Sequence, residues 1–173
     1  LEKIGQDYSI TRERVRQIIA DALKKNAGKS NDINFQKAED KITFTIREND
    51  GIIEEQKLIA KLGAGDGAEA NAIIFFSMVS SNIKITNEAG MLKKSWFVSR
   101  EVVGKVREIA RVIGQVFDKN KNLLTDDELS EKIFSTSLDL KSKYSKKEIL
   151  NFSGVIARVK KNAFGKWGLK FWE

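Results

Sequence analysis

Two stretches of this 173-residue chain carry apolar residues in the same register. GIIEEQKLIAKL begins at Gly51, and NLLTDDELSEKI begins at Asn122. Four apolar pairs coincide when the stretches are aligned: Ile52 with Leu123, Ile53 with Leu124, Leu58 with Leu129, and Leu62 with Ile133. Trp96 and Trp167 follow the two stretches at the same spacing. The repeat predicts two similar units, because equivalent apolar positions are buried in equivalent places. The alternative is chance similarity between two helices rich in Lys and Leu.

Helical periodicity surrounds each stretch. Apolar spacing predicts helices over residues 38–48 and 68–82 in the first unit, and over residues 102–117 and 147–161 in the second. The side chains expected to point inward from the later helices are Ile74, Met78, Val79, Phe152, Ile156 and Val159. Each unit then ends in aromatic, strand-like sequence, SWFVS or KWGLKFW, after a glycine suited to a turn.

The first 28 residues predict a helix-turn-helix. LEKIGQDY favours a short helix, and Thr11 is suited to cap a second one. Apolar residues then recur at helical spacing and predict one buried stripe, made of Val15, Ile18, Ile19 and Ala22. Residues 29–37 are predicted to be a linker.

Three helices followed by a β-ribbon are the layout of a winged helix. We therefore predict a mainly α fold, in which a short helix-turn-helix is followed by two tandem winged-helix units with small β-wings. The predicted ranges are residues 1–28 for the helix-turn-helix, 38–99 for the first winged helix and 100–173 for the second. The chain begins at Leu1 and not at a methionine, so we expect it to be part of a longer protein.

Charge is unevenly distributed along the chain, whose net charge is +7. Residues 1–38 hold eight Lys and Arg against five Asp and Glu, and residues 100–173 hold sixteen against ten. Residues 39–99 hold seven against nine and are therefore acidic. Two basic ends around an acidic middle favour a polyanionic partner that is contacted at two places.

Composition excludes several kinds of site. The chain has no His and no Cys, which are the commonest catalysts and metal ligands. GAGDG lacks the Gly-Lys-Ser/Thr ending of a phosphate-binding loop, and TDDE, from Thr125 to Glu128, predicts a capping box better than a metal site. We expect no enzyme activity, no cofactor and no metal. No apolar run approaches the roughly 20 residues of a membrane span, and we expect a cytoplasmic protein with no membrane partner.

The polar side of the second helix suits base recognition. Arg12, Glu13, Arg16 and Gln17 lie on its first turns. Arg can bind guanine, Gln can bind adenine, and Glu can accept a hydrogen bond from cytosine in the major groove. A plain basic patch would bind phosphate without reading sequence. The alternative is a solvated helix with local ion pairs.

LEKIGQDYSITRERVRQI, continuing to about Lys25, resembles the end of region four of bacterial primary-type sigma factors. That family carries Glu-Ile-Gly, a short spacer and then Thr/Ser-Arg-Glu-Arg-Val-Arg-Gln-Ile. Ile4, Gly5 and the whole run from Thr11 to Ile18 match, whereas Ser9 stands where the family often has Gly. The half of region four that contacts the polymerase is not in this sequence.

The resemblance implies recognition of a promoter element by the second helix. Arg12, Glu13 and Gln17 would contact bases, Arg16 a base or phosphate, and Arg14 the flank. The two predicted winged helices resemble HARE-type domains, which are similar to the N-terminal domain of the RNA polymerase delta subunit. This second resemblance is at the level of the fold.

The last predicted helix of the middle unit differs in charge from its counterpart in the C-terminal unit. No Lys or Arg lies between Lys61 and Lys84, so the middle unit offers no cation there and its third helix is predicted to pack or bind protein. The C-terminal counterpart places polar residues along one predicted face, with Gly154 allowing close approach. The residues predicted to contact DNA on that face are Lys147, Asn151, Arg158 and Lys161. A solvated face in a lysine-rich chain is the alternative.

These features predict a bacterial-type, sigma-factor-like protein that binds double-stranded DNA by sequence and acts in transcription. Its expected partner is double-stranded DNA, with RNA polymerase as a second candidate partner, and we predict no small-molecule ligand. Two alternatives stay open: an accessory module that binds RNA polymerase, and the DNA-recognition part of a restriction or modification system.

Overall fold

A computed structural model describes residues 2–27, 33–65, 67–86 and 90–172. Helices make up most of these residues, and the strands are two or three residues long. The predicted mainly α fold class is therefore confirmed. No helix within the described ranges is both long and apolar enough to cross a lipid bilayer.

The N-terminal segment, residues 2–27, contains two helices joined by a tight turn, as predicted. The helices are α1 (Glu2–Asp7) and α2 (Arg12–Ala27). Ser9 in the turn has a φ of 53°, in the left-handed region that glycine adopts more easily than other residues. The Oγ1 atom of Thr11 accepts a hydrogen bond from the backbone N–H of Arg14 at 3.1 Å. Thr11 is therefore the predicted cap and satisfies one free N–H at the start of the helix.

The middle segment, residues 33–97, alternates helices with short strands. Its elements are α3 (Ile33–Arg47), β1 (Ile52–Glu54), α4 (Glu55–Lys61), α5 (Ala68–Val79), β2 (Lys84–Ile85) and β3 (Ser95–Phe97). The strands form one antiparallel sheet in which β3 lies between β1 and β2. Helices α3 and α5 pack against each other.

The C-terminal segment, residues 100–169, contains a longer run of helices before its strands. Its elements are α6 (Arg100–Lys119), α7 (Asp126–Thr136), α8 (Leu138–Lys143), α9 (Lys146–Val155), β4 (Val159–Lys161) and β5 (Trp167–Leu169). Strands β4 and β5 pair antiparallel. Leu124, just before α7, forms an isolated bridge with Trp167 of β5. This bridge occupies the place that β1 has in the middle segment.

The two segments pair their strands at the residues that the sequence repeat matches. Ile53 lies opposite Trp96 in the middle segment, and Leu124 lies opposite Trp167 in the C-terminal segment. Ile53 and Leu124 are equivalent in the repeat, as are the two tryptophans. The predicted equivalence of these positions is confirmed.

Each of these tryptophans also bonds to a carboxylate at the start of a helix. Trp96 Nε1 donates to Glu55 Oε2 at 3.1 Å, and Trp167 Nε1 donates to Asp126 Oδ1 at 2.5 Å. Glu55 begins α4 and Asp126 begins α7, at the same position of the repeat. A buried indole N–H needs an acceptor. Both segments therefore use the same bond to join the last strand to the second helix.

The middle and C-terminal segments share one apolar core. Ile52, Leu92 and Phe97 of the middle segment belong to the same buried cluster as the apolar face of α6. Leu92 also forms a backbone bridge with Ile156. A second, smaller cluster around Trp96 lies within the middle segment. The boundary predicted at residue 100 thus separates two similar series of elements but not two independent cores.

The predicted linker is partly helical. It was placed at residues 29–37, but α3 begins at Ile33, and residues 29–32 lie outside the described residues. Phe35 is buried, and its ring centroid lies 5.6 Å from that of Phe76 on α5. This contact with α5 anchors the first turn of α3 and was not predicted from the sequence.

Helix α9 ends earlier than predicted. The helix was expected to continue to Lys161, but its last residue is Val155. Ile156 and Val159 are buried, as predicted, yet Ile156 bridges to Leu92 and Val159 begins β4. Apolar spacing over a few residues fits a helix or a strand, and backbone pairing decided in favour of extended chain here.

Helix α5 serves internal packing. It contacts α2 and α3, which agrees with the packing role predicted for this helix without cations. Val79 is buried and Ile74 is half-buried, as predicted, but Met78 is 50% exposed. The prediction for Met78 is wrong, because α2 and α3 do not cover the side of α5 that carries this residue.

Candidate nucleic-acid interface

The first turns of α2 present a polar edge to solvent. We define the reading edge as the side chains predicted to contact bases: Arg12, Glu13, Arg16 and Gln17. The side chains of Arg12 and Arg16 are 71% and 63% exposed, and Glu13 and Gln17 are exposed as well. The predicted outward orientation of this edge is confirmed. Its guanidinium groups are accessible to a large ligand.

Glu13 organises the reading edge. Arg16 donates hydrogen bonds to both carboxylate oxygens of Glu13, at 2.8 and 2.6 Å. The bond from Arg16 lowers the pKa of Glu13 and in turn raises the pKa of Arg16. Both groups are therefore charged at neutral pH. An exposed ion pair contributes little stability. Glu13 and Arg16 can therefore break their contact and bind bases or phosphates at a small cost in free energy.

Arg12 and Arg14 have weaker contacts. Arg12 Nη1 lies 3.9 Å from the Glu2 carboxylate, at the outer limit of an ion pair. Arg14 Nη1 lies 3.5 Å from Gln17 Oε1, which is long for a hydrogen bond. Neither arginine is held firmly, so both guanidinium groups can reorient toward a ligand.

The opposite side of α2 is only partly covered. Val15 is buried and Ala22 is half-buried, but Ile18 is 46% and Ile19 is 38% exposed. The predicted buried stripe is therefore correct for Val15 and wrong for Ile18 and Ile19. Helix α2 contacts α1 and α5, and these two neighbours do not cover the whole stripe.

The second predicted DNA-binding surface is not formed as one helix face. Its predicted members were Lys147, Asn151, Arg158 and Lys161. Only the first two lie on α9. Lys147 Nζ lies 3.5 Å from the carbonyl oxygen of Glu48, and Asn151 Nδ2 donates to the carboxylate of Asp50. Both side chains therefore contact the middle segment.

Arg158 lies in the turn after α9 and packs on α6. Its Nη2 donates to the carbonyl oxygen of Ala110 at 2.6 Å. Gly114 leaves room for the guanidinium group, since a Cβ atom there would lie 2.5 Å from Nη2. Arg158 thus binds the backbone of α6.

Lys161 lies on β4, where it pairs with the Asp126 carboxylate at 2.8 Å. Its Nζ is also 5.3 Å from the ring centroid of Trp167. Burial opposes ionisation of Asp126, but hydrogen bonds from Lys161 and Trp167 outweigh it and lower the pKa of Asp126. Lys161 therefore neutralises the carboxylate that holds the tryptophan.

The fold also brings together lysines that the sequence did not relate. Lys57, Lys93, Lys160 and Lys161 line a cleft between the middle and C-terminal segments. These residues come from α4, from the connection between β2 and β3, and from β4. Lys160 and Lys161 are adjacent in the sequence, but no sequence spacing connects them with Lys57 or Lys93.

Comparison with known proteins supports the N-terminal segment alone. Residues 1–25 match the family model for sigma-70, region 4. The match includes α1, the turn and the reading edge, so this segment is similar to a DNA-binding helix-turn-helix of transcription proteins. No match to a curated protein or to a solved structure was found. The predicted resemblance of residues 38–173 to HARE-type and delta-subunit domains has no support from these comparisons.

Proposed function

We propose that the protein binds double-stranded DNA by sequence and that α2 is the recognition helix in the major groove. The observation that carries this proposal is the exposed reading edge, within the stretch similar to sigma-70 region 4. In a helix-turn-helix, the first residues of the second helix contact base edges. The order of α1, tight turn and α2 supports this placement.

The side chains of the reading edge have distinct roles in this proposal. Arg12 binds guanine O6 and N7, Gln17 binds adenine N6 and N7, and Glu13 accepts a hydrogen bond from cytosine N4. Arg16 contacts a base or a phosphate, and Arg14 contacts the flanking backbone. Thr11 lies at the positive end of the helix dipole, where a backbone phosphate is favoured.

The proposal includes winged-helix architecture for the other two segments. Its support is the shared order of helix, strand or bridge, helices and two paired strands, with α8 as an additional short helix in the C-terminal segment. We assign the middle unit to holding α2 and neither unit to reading bases. Helix α5 has no cation and contacts α2, and Lys147 and Asn151 of α9 contact the middle segment.

Selection of bound duplexes from a randomised pool tests the proposal. The full chain is compared with Gln17→Ala and with Gln115→Ala, which changes an exposed glutamine on α6. We expect Gln17→Ala to lose about 1–3 kcal/mol of discrimination at one base pair, whereas Gln115→Ala keeps the preference of the unchanged chain. An unaltered base preference in Gln17→Ala overturns direct readout by α2.

The other expectations on function stay predictions. The similarity to sigma-70 region 4 makes RNA polymerase the protein partner to test first, by pull-down without DNA. A place in a restriction or modification system and a cytoplasmic location also stay predictions. The proposed function contains no catalytic step.

A further inference from the structure

The inter-segment cleft has a volume of about 270 Å³ and lies between the middle and C-terminal segments. Lys57 on α4 and Lys93 in the connection between β2 and β3 line it from the middle segment, and Lys160 and Lys161 on β4 line it from the other side. The backbone N–H of Lys93 donates to the carbonyl oxygen of Val155 at 2.9 Å. The contact between the segments therefore holds the lysines around one space.

Only part of the positive charge in the cleft is compensated. Lys93 pairs with Glu54 at 3.3 Å, and Lys161 pairs with Asp126 at 2.8 Å. Within the part of the chain that the structure describes, the side-chain ammonium groups of Lys57 and Lys160 have no hydrogen bond or ion pair. Two unpaired ammonium groups beside two paired ones give the cleft a positive potential that favours an anion.

The environment of Lys57 supports the same conclusion. Desolvation lowers the pKa of Lys57, and repulsion from Lys61 and Lys161 adds to this effect. Glu54 and Asp50 act in the opposite direction without cancelling it. A nearby negative charge favours the ammonium form, so an anion in the cleft would oppose this shift.

We propose that the inter-segment cleft binds a phosphate group, held by Lys57, Lys160 and Lys161. The lysine ammonium is a compact point charge that binds phosphate. The two unpaired ammonium groups, those of Lys57 and Lys160, suit the charge of about −1.5 to −2 that a phosphate monoester carries at pH 7. Lys161 adds a donor whose own charge is balanced by Asp126. The cleft is smaller than the roughly 300–1,000 Å³ of pockets for drug-sized ligands. Its volume of about 270 Å³ suits a small anion such as a phosphate or diphosphate group.

Such a phosphate group has two possible sources. It can belong to the backbone of bound DNA, in which case the inference rests on the proposed function and the cleft is a second DNA contact. It can also belong to a free compound, in which case the anion stabilises the contact between the two segments, because it binds the folded state alone. Lysine ammonium groups bind the phosphate in both cases, and the experiment has one arm for each source.

The first arm measures binding of inorganic pyrophosphate to the full chain by calorimetry at constant ionic strength. The cleft variants are Lys57→Gln and Lys160→Gln, and the control is Lys141→Gln, which changes an exposed lysine on α8. We expect saturable binding by the unchanged chain and the control, and about tenfold weaker binding by each cleft variant, as for one lost charge-assisted contact. Lys57→Arg keeps the charge and is expected to retain binding.

The second arm measures duplex affinity against salt concentration for the same variants. With DNA as the source, the cleft variants weaken binding evenly across sequences and reduce the salt slope by about 1. With a free compound as the source, they affect pyrophosphate binding and leave DNA affinity unchanged. Base preference depends on the reading edge and not on the cleft. The Gln17→Ala selection therefore tests the proposed function separately from this inference. The inference is overturned if neither measurement distinguishes the cleft variants from Lys141→Gln.

Discussion

Gly114 on α6 lies directly beneath the guanidinium group of Arg158. That group donates to the carbonyl oxygen of Ala110 at 2.6 Å, and a side chain at Gly114 would occupy its position. Glycine weakens a helix interior, so its presence here is explained by the space that Arg158 needs. The contact holds the turn between α9 and β4 on α6, which is a structural use of an arginine predicted to bind DNA.

Gly114→Ala is expected to have different effects with and without this arginine. In an Arg158→Ala background, it raises the free energy of unfolding by about 1 kcal/mol, because helix propensity alone changes. With Arg158 present, it displaces the guanidinium and loses a hydrogen bond worth about 1.5 kcal/mol, which cancels that gain. Urea unfolding of the two single variants and the double variant measures the coupling. Equal effects in both backgrounds contradict the contact.

At the scale of elements, α7 and α9 both begin with a reciprocal cap. Thr125 and Glu128 form the capping box that TDDE predicts. Ser145 and Glu148 form a second box with the same spacing at the start of α9. In the second box, the backbone N–H of Ser145 donates to Glu148 Oε2 at 2.8 Å. Each box satisfies two backbone N–H groups, that of the capping residue and that of the glutamate.

The cap of α9 is expected to make stability depend on pH in acid. The hydrogen bond from the Ser145 backbone lowers the pKa of Glu148 more than any other interaction does. The cap therefore stabilises the fold above the unfolded-state pKa of about 4.3, and this contribution is lost as pH falls through the lower folded-state value.

Glu148→Gln tests this dependence. We expect it to lower the free energy of unfolding at pH 7, and its difference from the unchanged chain to shrink below about pH 4. Urea unfolding at a series of pH values measures both quantities. A difference that stays constant across the series contradicts a role for the charged carboxylate.

At the scale of the whole molecule, the shared core joins the middle and C-terminal segments. Leu92 is buried in the cluster that contains the apolar face of α6, and its backbone bridges to Ile156. Two segments that share buried side chains and backbone bonds lose both sets of contacts when either one unfolds. The two segments are therefore expected to unfold together.

Leu92→Ala tests this coupling. Removal of a buried leucine side chain costs about 2–5 kcal/mol, and we expect the loss of amide protection to extend from β3 to α9. Hydrogen exchange measures this spread. The control is Leu138→Ala, which changes an exposed leucine and is expected to alter stability by less than about 0.5 kcal/mol. Full protection of α9 in Leu92→Ala would show that the C-terminal segment is independent.

The sequence by itself determined the features that depend on short spacings or on a repeated pattern. Thr11 caps α2 and Thr125 caps α7. The reading edge faces solvent because helical periodicity places it on the side of α2 opposite the buried Val15. The repeat also predicted that Trp96 and Trp167 are equivalent, since two similar sequences meet the same burial requirements. These are properties of neighbouring residues and of periodicity.

Only the tertiary structure decided which partner each polar side chain has. Lys147 and Asn151 contact the middle segment, Arg158 packs on α6, and Lys57 shares a cleft with Lys161 from another segment. Periodicity assigns a residue to a face of its own element, but it does not say which element covers that face. Those contacts depend on how the segments dock, and docking follows from the shape of the shared core.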